Sequence, residues 1–192
     1  MFDVFKSYLS SKIAITDEEF ELIKSLGILK KLRKRQYLLQ AGDSWKYDAF
    51  VCKGCLRTYR VDDKGQEHIL GFSIENWWTG DRESLLSGTP AQSNIDALED
   101  SVVLLFTHEN FLHICHEIPA FNELINGILA RSFVALQNRI HASISYTAEE
   151  KYQNFLKTSP QLANRVPQSM IASYLGISAE TLSRIRHQSL KK

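Results

Sequence analysis

A chain of 192 residues with 44% hydrophobic side chains is long enough to bury a substantial core in one large domain or two small ones. Its net charge of +1 excludes a strongly acidic or basic tail protein, and no apolar run approaches the ~20 residues of a membrane span. Three cysteines, Cys52, Cys55 and Cys115, make no disulfide framework, and with an N-terminus lacking a signal-peptide core they predict a cytoplasmic protein.

In chain order, residues 3–26 read as one or two amphipathic helices, with Thr16 capping "TDEEFELI" and acids in the first turn. The "KKLRKR" run, Lys30 to Arg35, reads as the solvated entry to a first strand, with an electrostatic patch for nucleic acid as the alternative. From about 28 to 107, short runs of strand formers alternate with glycine turns at Gly42, Gly54 and Gly65, the pattern of a small antiparallel barrel or sandwich. "DDKG", Asp62 to Gly65, is a tight hairpin turn. Of the adjacent Trp77 and Trp78, alternation sends one inward to the core and the other outward.

From about Ile118 to Ile144 a helical period returns, with Leu129, Phe133, Leu136 and Ile140 spaced by four, three and four. Such a stripe buries best against a second copy of itself, which predicts a two-fold homodimer. The stretch "PQSMIASYLGISAETLSRIR", Pro167 to Arg186, then holds two short helical patterns around Gly176. Proline suits a first helical turn, glycine a sharp C-terminus, and Ser178 an N-cap. Leu182 and Ile185 form a narrow apolar stripe on the second helix. This is the pattern of a helix-turn-helix, whose second helix enters a DNA major groove. Between Gln161 and Lys192 five cationic side chains stand against Glu180 alone, a local excess that phosphate contact requires. Glutamate accepts from cytosine N4 and arginine bonds guanine O6 and N7, so Glu180 and Arg184 are the candidate base readers. Lys191 and Lys192 are expected to touch phosphate if they touch DNA.

A β-barrel, then a long helix, then a helix-turn-helix is a distinctive order. Through "LLQAGDSWKYDAFVCKGCLRTYRVDDKGQEHIL" and "IASYLGISAETLSR" the chain resembles the Crp–Fnr family of bacterial transcription regulators over nearly its whole length. The resemblance implies an α+β protein: an N-terminal antiparallel β-barrel or jelly-roll effector domain over 1–117, a long connecting and dimerisation helix over 118–146, and a C-terminal winged helix-turn-helix over 147–192. It implies a sequence-specific regulator, with a palindromic double-stranded operator, a homodimer and RNA polymerase as partners. Gln168, Ser178, Glu180, Thr181, Ser183, Arg184 and His187 form the expected DNA-facing set, and Leu129, Phe133, Leu136 and Ile140 the dimer stripe. Ala179 stands where the family often has arginine, which predicts a changed operator.

Members that bind cyclic AMP carry a Gly-Glu pair for the ribose and an Arg-Ser pair for the phosphate. Here Gly80 and Asp81 take the first place, Gln92 and Ser93 the second, and Arg82 is a nearby cation. Glutamine lacks the charged fork a phosphate diester favours, so the expectation is an effector other than cyclic AMP, of unknown identity, or none.

The "CKGC" pair invites metal or redox chemistry, as in family members with cysteine-bound clusters, but a buried cysteine also serves as a small hydrophobe, and no metal site is assigned. No nucleophile elbow, P-loop or dinucleotide fingerprint is present, so an enzyme is not expected. The alternative to a DNA-binding regulator is a ligand- or redox-sensing module whose helical tail binds a protein partner.

Overall fold

A computed structural model describes residues 1–189. Two helices open the chain, α1 (Phe2–Ser10) and α2 (Asp17–Leu26). α2 starts on a capping box, in which the Thr16 hydroxyl accepts from Glu19 N–H and the Glu19 carboxylate accepts from Thr16 N–H. Eight strands follow: β1 (Ile28–Leu32), β2 (Tyr37–Leu39), β3 (Tyr47–Lys53), β4 (Leu56–Val61), β5 (Glu67–Ser73), β6 (Trp78–Thr79), β7 (Asn94–Ala97) and β8 (Ser101–Thr107). The short α3 (Arg82–Ser87) lies between β6 and β7. They form two four-stranded sheets, ordered β1-β8-β3-β6 and β2-β7-β4-β5, whose established pairings are antiparallel. The result is a jelly-roll sandwich in place of a closed barrel.

The helices α4 (His108–Glu117), α5 (Pro119–Ser145), α6 (Ala148–Thr158), α7 (Pro160–Ala163), α8 (Gln168–Leu175) and α9 (Ala179–Ser189) complete the described chain. Among the described residues no strand follows β8, so the wing of a winged helix-turn-helix is not part of the described structure.

The chain divides into two compact units, Met1–Arg60 with Gly71–Leu129, and Val61–Leu70 with the chain from Ala130 onward. The first unit has two apolar cores. Between the sheets, Leu32, Leu38, Val51, Leu56, Ile95, Val103 and Leu105 interlock. Outside the β1-β8-β3-β6 sheet, Phe50, Leu104 and Phe106 receive α1, α2, α4 and the start of α5 through Phe5, Ile23, Ile114, Phe121 and Ile125. Trp78 lies among Phe5, Phe50, Phe111 and Phe121 with edge-on rings 5.3–6.5 Å away, while Trp77 stays exposed. Of the adjacent tryptophans one therefore packs on the core and the other faces outward.

Cys52 belongs to this aromatic core and Cys55 is fully buried. Gly54 between them takes φ +101°, and a Cβ there would lie 2.7 Å from the Ser101 Cα, so only glycine fits where the two strands cross so closely. Burial pushes the Cys52 thiol up to about 11, the opposite of what metal ligation or nucleophilic redox chemistry uses.

The second unit holds the small helical core. Tyr152, Phe155, Leu162, Val166, Ile171, Ala172, Leu182 and Ile185 are its buried side chains. α6 begins on a second capping box, Thr147 with Glu150. The hairpin that continues β4 into β5 also belongs to this unit. Its turn is organised by Asp62, whose carboxylate accepts from Lys64 N–H and Gln66 N–H at 2.9 Å and meets His68 Nε2 at 2.9 Å.

Candidate nucleic-acid interface and effector cradle

The helix pair α8–α9 is built by local chemistry. Gly176 adopts φ +66°, and Ile177 N–H reaches back to the Ala172 carbonyl at 3.0 Å, so the chain reverses in a Schellman-type stop. Ser178 then caps α9, its hydroxyl accepting from Thr181 N–H at 3.1 Å. Leu182 and Ile185 are buried, and this fixes which face of α9 remains outside. Glu180, Ser183, Arg184 and His187 are all exposed at i, i+3, i+4 and i+7, one continuous stripe. The Glu180 carboxyl is held below its ordinary range, first by its own backbone N–H and then by the Ser178 hydroxyl, with Arg184 adding attraction. It is therefore an ionised acceptor at neutral pH, and Arg184 one turn on supplies donors.

Other members of the expected DNA-facing set sit differently. Thr181 is half-buried and its hydroxyl lies 3.0 Å from Ser178, so both side chains are occupied at the helix start. Gln168, the first residue of α8, is half-buried with its amide nitrogen donating to the Ala163 carbonyl at 3.4 Å. Lys191 and Lys192 lie outside the described residues.

The expected dimer stripe divides along α5. Leu129 is packed against the aromatic core of the first unit. Phe133, Leu136 and Ile140 are 62%, 52% and 52% exposed, and Val134 and Ile144 join them. Twenty-seven residues make α5 about 40 Å long at 1.5 Å per residue, and its second half leaves its apolar side chains uncovered in one protomer.

The expected effector residues gather around α3, with altered roles. Asp81 is buried and its carboxylate caps α3, accepting from Ser84 N–H at 3.0 Å. One methylene shorter than glutamate, it stays on its own helix. Arg82 and Gln92 are exposed. Gly80 is the residue against which the Trp45 indole packs, 2.6 Å from where a Cβ would stand. Ser93 is 5% exposed and accepts from Arg60 Nε at 3.3 Å.

Arg60 was not among the sequence candidates. It shares with Leu56 and Thr58 the face of β4 turned toward the sandwich interior, and its guanidinium also approaches Glu83 at 3.6 Å. The available signal was parity: two residues beyond Thr58 on a strand whose Leu56 is core. On the opposite face, Arg57 makes a bidentate pair with Asp96 at 2.8 and 3.0 Å and stacks over Tyr59 at 4.1 Å. No group of three or more His, Cys, Asp or Glu suited to a metal ion occurs among the described residues.

Residues 29–117 match the cyclic nucleotide-binding domain family. The chain is similar to the transcriptional activator protein Anr of Pseudomonas protegens, 26% identical over 81% of this chain and 68% of that protein. It is also similar to the fumarate and nitrate reduction regulatory protein of Yersinia pestis, 25% identical over 93% and 76%. Among solved structures, FixK2 from Bradyrhizobium japonicum superposes with a TM-score of 0.72 at 20% identity, covering 84% of this chain and 83% of that one. No helix among the described residues is long and apolar enough to cross a membrane.

Proposed function

We infer from the match of residues 29–117 to the cyclic nucleotide-binding domain family, from the regulators the chain is similar to and from the surface of α9 that it is an effector-controlled, DNA-binding transcription regulator of the Crp–Fnr type. The observation that carries the reading is the exposed stripe Glu180–Ser183–Arg184–His187 on a helix whose other face is locked by Leu182 and Ile185. Glu180 and Arg184 read base edges, Ser183 and His187 flank them, and Ser178 and Thr181 hold the N-terminus of α9. Gln168 reaches a phosphate by releasing its weak bond to Ala163.

We propose that two copies pair through Phe133, Leu136 and Ile140 of α5, with Leu129 completing the helix against its own jelly roll. A two-fold dimer presents two copies of α9 to a palindromic operator in double-stranded DNA. The effector cradle is the region of Gly80, Asp81, Arg82, Gln92 and Ser93, with Arg60 as its inward cation. Its ligand is a small molecule other than cyclic AMP, because the residue in the place of the phosphate-binding arginine is the exposed, neutral Gln92. Such a regulator works in the cytoplasm, with RNA polymerase as the machinery it influences, and has no catalytic role.

The test is selection of bound duplexes from a random pool, followed by titration at several salt concentrations. Affinity for the recovered site falls with salt at a slope of about −0.9 per neutralised phosphate. Arg184→Ala costs about 1–3 kcal/mol per half-site on that site and much less on random duplex. Equal losses on both would make Arg184 a phosphate clamp, and unchanged binding to both would remove α9 from the groove.

A further inference from the structure

Within the second unit, α5 and the hairpin Val61–Leu70 converge on α8, the helix preceding the DNA-facing α9. The half-buried Arg139 lays its guanidinium over the Tyr174 ring, 4.2 Å from the centroid. The same guanidinium donates to the Leu70 carbonyl and, at 3.5 Å, to the Tyr174 carbonyl. The Tyr174 ring also meets Phe155 of the helical core at 5.9 Å. Next to it, Ser173 completes the junction: Ile69 N–H donates to its hydroxyl oxygen at 3.1 Å, and the hydroxyl is 3.4 Å from the Glu67 carbonyl. α8 is thus tied to the edge of β5 by a side chain acting in place of a neighbouring strand, and to α5 by one arginine.

We propose that Arg139 is a positioning residue for DNA recognition: by clamping Tyr174 and the β5 edge, it fixes the direction of α9 relative to α5. The proposal rests on the DNA-binding reading given above. Only Tyr146 and Thr147 separate α5 from α6, so without the clamp this short link and local packing set the angle. In a dimer built on α5, that angle decides whether two copies of α9 reach successive turns of one duplex face. The clamp grips α8 and leaves Glu180, Ser183, Arg184 and His187 exposed. Its effect is therefore to restrict orientation without masking the reading surface, which lowers the ordering cost of engaging both half-sites. Arginine is required because the role combines ring stacking with a fork of donors reaching two carbonyls, and lysine offers a single compact ammonium.

The experiment uses the full chain, a palindromic duplex recovered from a random pool, its isolated half-site, and Arg139→Lys beside Tyr174→Phe and Tyr174→Leu. Arg139→Lys lowers palindrome affinity by about tenfold or more while half-site affinity changes by less than about threefold, since only simultaneous engagement depends on the fixed angle. Tyr174→Leu removes the ring under the guanidinium and follows Arg139→Lys, whereas Tyr174→Phe keeps that ring and retains slow exchange at Ile69. Amide exchange at Ile69 rises by about tenfold in Arg139→Lys with no DNA present, because the hairpin edge loses its anchor. Unchanged exchange at Ile69 overturns the clamp. Palindrome affinity that is unchanged or raised, or that falls equally with half-site affinity, overturns the positioning role. A wild-type chain with no preference for any duplex overturns the DNA reading and the positioning role together, and the exchange measurement still decides whether the clamp exists.

Discussion

Arg57 and Asp96 face each other across β4 and β7 as a bidentate pair, Nε to Oδ1 at 2.8 Å and Nη2 to Oδ2 at 3.0 Å, with both residues more than nine-tenths buried. The pair joins two strands whose segments lie 39 residues apart in the chain. Removing one partner leaves the other charge desolvated. Asp96→Ala therefore lowers unfolding free energy by about 3–5 kcal/mol in urea titration. A loss below about 1 kcal/mol would mean that water reaches the guanidinium and that the pair is a surface one in energetic terms.

Gly176 gives a cleaner separation of backbone from packing. A Cβ at this position meets nothing within 4 Å, so a substitution there is opposed by its φ of +66° and not by collision. Gly176→Ala should destabilise the helical unit by about 1–2 kcal/mol, and Gly176→Val by more because its β-branch is stiffer. Chemical denaturation followed by circular dichroism checks the order. Equal stability of all three would show that the turn relaxes to another conformation.

Cyclic AMP at about 1 mM is expected to leave the melting temperature unchanged. A ligand with a dissociation constant of about 10 μM would add about 2.7 kcal/mol at that concentration, a shift easily read by thermal denaturation. The physical reasons are the neutral exposed Gln92, the engagement of the Asp81 carboxylate as a helix cap, and the partial neutralisation of Arg60 by Glu83. A saturable rise in melting temperature would refute this account of the cradle.

The buried thiols predict a loss of stability in mild alkali. Burial pushes Cys52 and Cys115 from the ordinary 9.0 up to about 11. Between those values the unfolded chain sheds a proton that the folded chain retains, so stability is intact below pH 9 and declines as pH rises toward 11. For the well-buried Cys52 the loss is about 1–2 kcal/mol across the window. Urea unfolding of the wild type and Cys52→Ala at pH 8 and pH 10.5, under reducing conditions, isolates it. An identical pH dependence in the two proteins would contradict the assignment.

What was readable from sequence was what short-range chemistry decides. The caps at Thr16, Thr147 and Ser178, the stop at Gly176 and the Asp62 turn all depend on residues within five positions of one another, and each was either visible as a motif or follows from one. The roles that escaped depend on strand pairing. Arg60 meets Ser93 across 33 residues, and Arg139 meets Leu70 across 69, so neither partner can be inferred from its neighbours. Asp81 shows a third kind of limit. Its position beside Gly80 suggested ligand contact, but the same side chain is also a good N-cap, and capping is the role it takes. For Leu129, one helical stripe passes through two environments, and periodicity alone cannot mark where one ends.

Cys52, sealed at 3% exposure among the aromatic rings of the jelly roll, also gives the molecule an intrinsic stopwatch. A thiol-specific reagent reaches it only during moments when that core comes apart. Its modification rate, divided by the rate for a free thiol at the same pH, is the fraction of time the core spends open. Breathing of the jelly roll is therefore measurable in the unmodified chain, without an introduced dye or isotope, and comparison of that fraction with and without trial small molecules tests whether the proposed cradle holds any of them.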